Sequence, residues 1–130
     1  MNPGLVQEVW RTVVVCDDRQ ELRDAISLVL SDVPRFRVVG EALDGASCLE
    51  RVRETLPDVL ILDVSMPGGG PELASAAKEL HPTMRIVVFS GHQEARVKDA
   101  MIRAGADHYV VKTGRLRPLL DALEQVFAAG

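Results

Sequence analysis

Five short apolar runs alternate with five amphipathic patterns along this chain, and that alternation leaves few folds open. The runs are "TVVVC" (Thr12 to Cys16), "FRVVGEAL" (Phe36 to Leu43), "DVLIL" (Asp58 to Leu62), "RIVVFS" (Arg85 to Ser90) and "HYVVK" (His108 to Lys112). The first is continuously β-branched, as in a strand covered on both faces. The second is more polar and suits a sheet edge. Between the runs, Leu22, Ala25, Ile26 and Val29 fall at i, i+3, i+4 and i+7. Leu49, Val52 and Leu56 make a shorter pattern behind a cap at Asp44. Leu73, Ala76, Ala77 and Leu80 repeat the full spacing, as do Val97, Ala100, Met101 and Ala104, and Leu116, Leu119, Leu120 and Leu123. Pro34, Pro57 and Pro82 follow three of these helices and Gly105 a fourth, which are sensible stops.

Strands joined by helices run parallel, with right-handed crossovers and helices on both faces. The sequence therefore predicts an α/β fold of the (βα)5 kind, a doubly wound parallel five-stranded sheet. Its expected strand order is 2-1-3-4-5, the flavodoxin-like order. One domain is expected over residues 1–130, with its core over about 12–128 and a loose lead-in over 1–11. Trp10 is the conspicuous apolar residue of that lead-in and is expected to pack on the domain edge.

What leaves each strand then matters. The first run ends in Asp17 and Asp18, the third in Asp63, the fourth in Ser90 and the fifth in Lys112. In a parallel sheet of this order all these ends share one edge, at the switch point where ligands sit. Each residue alone has an ordinary explanation as a turn, cap or solvated charge. Their convergence is the signal for a site. Three carboxylates beside one lysine repel, so a carboxylate takes up a proton or a cation binds. Hard oxygen ligands with open positions suit Mg²⁺. Asp63 then enters the pliable loop "SMPGGG" as an exposed nucleophile.

A net charge of -4 argues against a DNA clamp. No apolar run approaches a membrane span and no signal peptide is visible, so a cytoplasmic location and no membrane partner are expected. Cys16 and Cys48 lack metal or redox spacing and read as reduced thiols. His81, His92 and His108 share no ligand spacing.

The acidic pair in "CDD", with "LILDVSMPGG", "VVFSGH" and "AGADHYVVK", resembles the receiver domain of bacterial two-component response regulators, most closely the NarL/LuxR type. The resemblance spans about Thr12 to Ala128. It implies a signalling module rather than an enzyme, with Asp63 as phosphoacceptor for a sensor histidine kinase or a small acyl phosphate. It further implies Mg²⁺ held by Asp17, Asp18, Asp63 and the backbone carbonyl of Ser65, with Asp18 binding directly and Asp17 partly through water. Lys112 and Ser90 would contact the phosphoryl group. Ser90 and Tyr109 would form a switch that reshapes the face built by helix four, strand five and helix five, controlling an effector or a homodimer formed on phosphorylation. No basic helix-turn-helix-like segment follows Gly130, so this chain is not expected to bind DNA itself. The resemblance implies a receiver excised from, or encoded without, a C-terminal effector domain for transcription.

This sequence departs from the family's pattern at Thr113, where proline often follows the lysine through a cis bond. A cis bond before a non-proline costs about 2.5–4 kcal/mol, so trans is expected. His92 and Ser65, each two residues beyond a site residue, occupy places that affect loss of the phosphoryl group in this family. The alternative reading is a receiver fold used as a phosphorylation-independent interaction module. A flavin protein is disfavoured because "CDDRQ" would repel the flavin phosphate. A phosphatase of outside substrates is disfavoured because position 65 is Ser rather than a second Asp.

Overall fold

The computed structural model describes residues 10–128. Its elements are β1 (Arg11–Cys16), α1 (Gln20–Ser31), β2 (Phe36–Ala42), α2 (Gly45–Thr55), β3 (Val59–Leu62), α3 (Pro71–Leu80), β4 (Arg85–Ser90), α4 (Ala95–Arg103), β5 (His108–Val111) and α5 (Arg117–Phe127). The strands form one parallel sheet in the order β2-β1-β3-β4-β5, as the alternation predicted.

Alternation along the buried strands sends successive side chains to two cores. Val13, Val15, Ile61 and Phe89 meet Ile26 and Leu30 of α1 and Leu119 and Leu123 of α5. Val14, Cys16, Leu62 and Val88 meet Cys48 and Val52 of α2, Leu73 and Ala77 of α3 and Met101 of α4. Each fully buried Leu or Ile contributes about 1.5–3 kcal/mol relative to exposure. The helices are unequally anchored: α3 buries three residues, whereas α4 buries Met101 alone.

Several boundaries depart from the sequence reading for local reasons. Arg11 belongs to β1 rather than the lead-in, because its amide reaches the Arg35 carbonyl at 2.6 Å. Residues 1–9 of that lead-in and residues 129–130 lie outside the described residues. Asp58 stands before β3, because its carboxylate accepts from the Thr12 amide at 2.8 Å. Leu56 leaves the α2 pattern: it caps the helix in a left-handed conformation (φ 44°) and is exposed, with Pro57 barring continuation. The α2 start matches expectation, with Asp44 Oδ1 accepting from the Ser47 amide at 2.8 Å and Ser47 Oγ accepting from the Asp44 amide at 3.3 Å. Trp10 sits at the sheet edge under the guanidinium of Arg37 of β2, 4.9 Å from its ring centroid. Both cysteines are buried and free. No peptide bond is cis among the described residues, so Lys112–Thr113 is trans.

Candidate functional site

Strand register assembles the site. Cys16 pairs with Leu62, and Leu62 with Val88, so Asp17 and Asp63 each emerge one residue past a paired, buried position. The Asp63 amide donates to the Cys16 carbonyl at 3.0 Å and the Asp17 amide to the Ala42 carbonyl at 3.0 Å, carrying the ladder up to the two acids. Asp17 and Asp63 are buried, so Asp63 is not the exposed nucleophile expected, because it follows directly on the buried end of β3, and Asp18 is exposed. One carboxylate oxygen from each of the three lies within 4.8 Å of the others. Such a recess, closed beneath and open at Asp18, fits a hard divalent cation that keeps open positions.

Lys112 Nζ is 2.7 Å from Asp17 Oδ2 and 3.5 Å from Asp63 Oδ2. The lysine ammonium thus stands at the acids, closer to Asp17 than to Asp63. Asp17 Oδ1 accepts from the Arg19 amide at 2.9 Å, and Asp63 Oδ1 from the Ser65 amide at 3.0 Å. Burial pushes the Asp63 carboxyl above its ordinary range, and the Asp17 charge adds to that. The Ser65 amide and Lys112 oppose the shift without cancelling it. A carboxylate disfavoured by its surroundings is the form that gains from a cation or from covalent modification.

Ser90 is fully buried at the end of β4. Its hydroxyl accepts from the His92 amide at 3.3 Å, while the His92 carbonyl accepts from the Tyr109 hydroxyl at 2.8 Å. The His92 backbone thus joins Ser90 to Tyr109, a link that residue types alone do not reveal. The switch implied for Ser90 and Tyr109 starts from a Tyr109 ring that is already buried, its hydroxyl satisfied by the His92 carbonyl. Burial raises the Tyr109 pKa. The His92 imidazole turns away to Glu94, with Nδ1 3.4 Å from Oε2.

The glycines after Asp63 differ in purpose. Gly68 has φ +75° and lies against the Gly45 backbone, where a Cβ on Gly45 would stand 2.8 Å from the Gly68 carbonyl oxygen. The Gly45 amide donates to the Pro67 carbonyl at 2.8 Å, tying this loop to α2. A Cβ on Gly69 would overlap the Asp63 carbonyl oxygen itself. Gly69→Ala is therefore expected to destabilise the protein by about 1–3 kcal/mol, since backbone rather than a flexible side chain must yield. Denaturant unfolding checks this, and Gly91→Ala, which meets nothing, is the control.

A cavity of about 610 Å³ lies at the other end of the sheet, lined by Arg11, Arg35, Phe36 and Phe127 among others, and shares no residue with the acidic recess. Among the described residues no helix is long and apolar enough to cross a membrane.

Comparison with known proteins gives a consistent result. A family model described as the response regulator receiver domain matches residues 13–124. Response regulator GacA of Pseudomonas aeruginosa is 37% identical over 117 residues, covering 89% of this chain and 55% of that protein. The nitrate/nitrite response regulator protein NarL of Escherichia coli is 37% identical over 120 residues, covering 90% of this chain and 55% of its own length. The chain thus spans about half the length of the curated relatives it matches. Among solved structures, the signal receiver domain of a NarL response regulator from Mycobacterium tuberculosis superposes with a TM-score of 0.86 at 31% identity, covering 95% of this chain and all of that one.

Proposed function

Because this chain belongs to the response regulator receiver domain family of two-component systems, we propose that it accepts a phosphoryl group on Asp63, with Mg²⁺ required, and relays that event through Ser90 and Tyr109. The observation that carries this reading is the meeting of Asp17, Asp18 and Asp63 within 4.8 Å beside a single lysine.

Asp17, Asp18, Asp63 and the Ser65 carbonyl would hold the cation. Bound there, Mg²⁺ supplies the charge neutralisation that lets an anionic phosphoryl donor approach three carboxylates. A carboxylate oxygen of Asp63 forms the bond to phosphorus. The bond from phosphorus to the donor's imidazole nitrogen or acyl oxygen breaks, and the donor leaves with that electron pair. The Ser65 amide and the Lys112 ammonium orient the nucleophile. Lys112 then turns from Asp17 to the transferred group, and the Ser90 hydroxyl donates to one of its oxygens. Donors in this reading are a sensor histidine kinase and small acyl phosphates. The chain acts on its own aspartate, as a cytoplasmic signalling module that governs an effector, transcription being the output of relatives of this type. The test is incubation with acetyl phosphate, with Mg²⁺ or with a chelator. One alkali-labile phosphoryl adduct appearing only with Mg²⁺ supports the reading. No adduct under either condition leaves a phosphorylation-independent interaction module.

The relay has its own test. A phosphoryl group brings about two negative charges and three acceptor oxygens to the strand edge. Drawing Ser90 toward it breaks the Ser90–His92 bond, and the β4–α4 loop that carries the Tyr109 acceptor must adjust. Beryllofluoride with Mg²⁺ is expected to shift the Tyr109 ring and α4 resonances in wild type, and to shift them much less in Ser90→Ala. Equal shifts in both proteins refute coupling through Ser90, since a ligand moves an equilibrium only by favouring one state.

A further inference from the structure

We propose that Arg23 is a positioning residue for the acidic recess: it grips the peptide that joins Asp17 to Asp18 and so sets where the exposed carboxylate stands for Mg²⁺. The inference rests on the Mg²⁺-dependent phosphoacceptor reading above and assigns a residue to it outside the expected set.

Arg23 lies early in α1, with its side chain only 13% exposed. Its Nη1 donates to the Asp17 carbonyl oxygen at 2.7 Å, and its Nε donates to Glu41 Oε1 of β2 at 3.0 Å. One planar guanidinium thus joins α1, the end of β1 and the edge strand β2. The Asp17 side chain has other holders, Lys112 and the Arg19 amide. Asp18 is exposed. Its position follows from the plane of the Asp17–Asp18 peptide, whose carbonyl Arg23 holds. A lysine cannot replace that fork, because it lacks the paired, coplanar donors.

Charge alone makes Arg23 the wrong residue beside a cation site. A guanidinium near the recess repels a divalent ion, so removing it would strengthen binding if Coulomb forces were all that mattered. Positioning predicts the opposite, because loss of a group that orients metal ligands typically weakens metal affinity by about 10–100-fold. The sign of the change therefore decides between the two accounts.

The experiment is a Mg²⁺ titration of the whole chain, followed by amide resonances, for wild type, Arg23→Ala and Arg23→Lys. Melting curves alongside report the folded fraction. Both variants are expected to bind Mg²⁺ about 10–100-fold more weakly. Their acetyl phosphate reactions should need more Mg²⁺ for half-maximal rate while retaining the rate at saturating Mg²⁺. A purely structural role would lower the folded fraction and leave the Kd of the folded protein unchanged. Arg23→Lys keeps the charge, so weakening in that variant cannot come from charge loss. An unchanged or tighter Kd in Arg23→Ala, or a wild-type Kd in Arg23→Lys, overturns the proposal and leaves the phosphoacceptor reading standing. A wild-type chain that binds no Mg²⁺ overturns both.

Discussion

Asp63→Asn is expected to abolish phosphoryl uptake from acetyl phosphate altogether, under conditions in which the parent is modified. Asparagine keeps the shape and an oxygen for the Ser65 amide, but a neutral amide oxygen is not a nucleophile of carboxylate strength. Asp17 remains, yet it is engaged by Lys112 and the Arg19 amide, so it is not expected to take over. Intact-mass measurement reads the outcome, and equal labelling of variant and parent would remove Asp63 from its role. The same variant carries a second signature in metal-free buffer. Burial raises the Asp63 carboxyl in the folded protein. A raised carboxyl binds its proton more tightly folded than unfolded, so its stabilising contribution is present below the unfolded value, about 4, and is lost as pH rises through the folded value. Ionised Asp63 is then a net cost at neutral pH. Asp63→Asn should melt above the parent at pH 7, with the gap closing as pH falls below about 4. A variant that melts lower at neutral pH and equal in acid contradicts that sign.

Lys112→Ala is expected to move three quantities in different directions. It strips the only ammonium bonded to the acids among the described residues and leaves two buried carboxylates facing each other. Removing one partner of a buried pair costs about 3 kcal/mol or more, and the 20% exposure of Lys112 places this case at the low end. Mg²⁺ affinity should rise, because a competing positive charge has gone. Phosphorylation should fall even at saturating Mg²⁺, because the group that orients Asp63 and receives the phosphoryl oxygens is missing. Unfolding with a chelator and with Mg²⁺, beside a rate measurement, separates the three. Weaker Mg²⁺ binding in Lys112→Ala would show that Lys112 builds the recess rather than opposing its charge.

The sequence made the fold and the acidic row readable for a shared reason. Buried strands carry their own signature, as in "TVVVC", and parallel register then forces residues such as Asp17 and Asp63 to one edge. Parity along β5 also placed Tyr109 and Lys112 on opposite faces: Tyr109 packs in the α2–α4 core, while the Lys112 ammonium lies 5.8 Å from the Phe89 ring centroid on the other side. What stayed hidden depends on contacts between distant segments. Arg23 reads as a polar position on an amphipathic helix until β2 brings Glu41 beside it. The run of three glycines announces pliability, but only packing shows that Gly68 takes positive φ and that Gly69 lies under the Asp63 carbonyl. The Tyr109 orientation hangs on one backbone carbonyl, that of His92, for which no residue type is a signal. Left-handed Leu56 is a further case, since glycine is the usual choice there and the sequence offers leucine.

The unequal anchoring of the helices has an evolutionary meaning. On one side of Asp63 the loop is wedged against α2, glycine to glycine, with no room for change. On the other side α4 buries Met101 alone, with Val97 and Ala100 half-buried and its other residues exposed. If the phosphoacceptor reading holds, substitutions on the exposed part of α4 change what that surface offers a partner and leave the acidic recess untouched, whereas a side chain added at Gly45 or Gly69 disturbs the recess whatever the partner. On that reading, a duplicated copy of the gene would keep the recess intact while diverging along one helix.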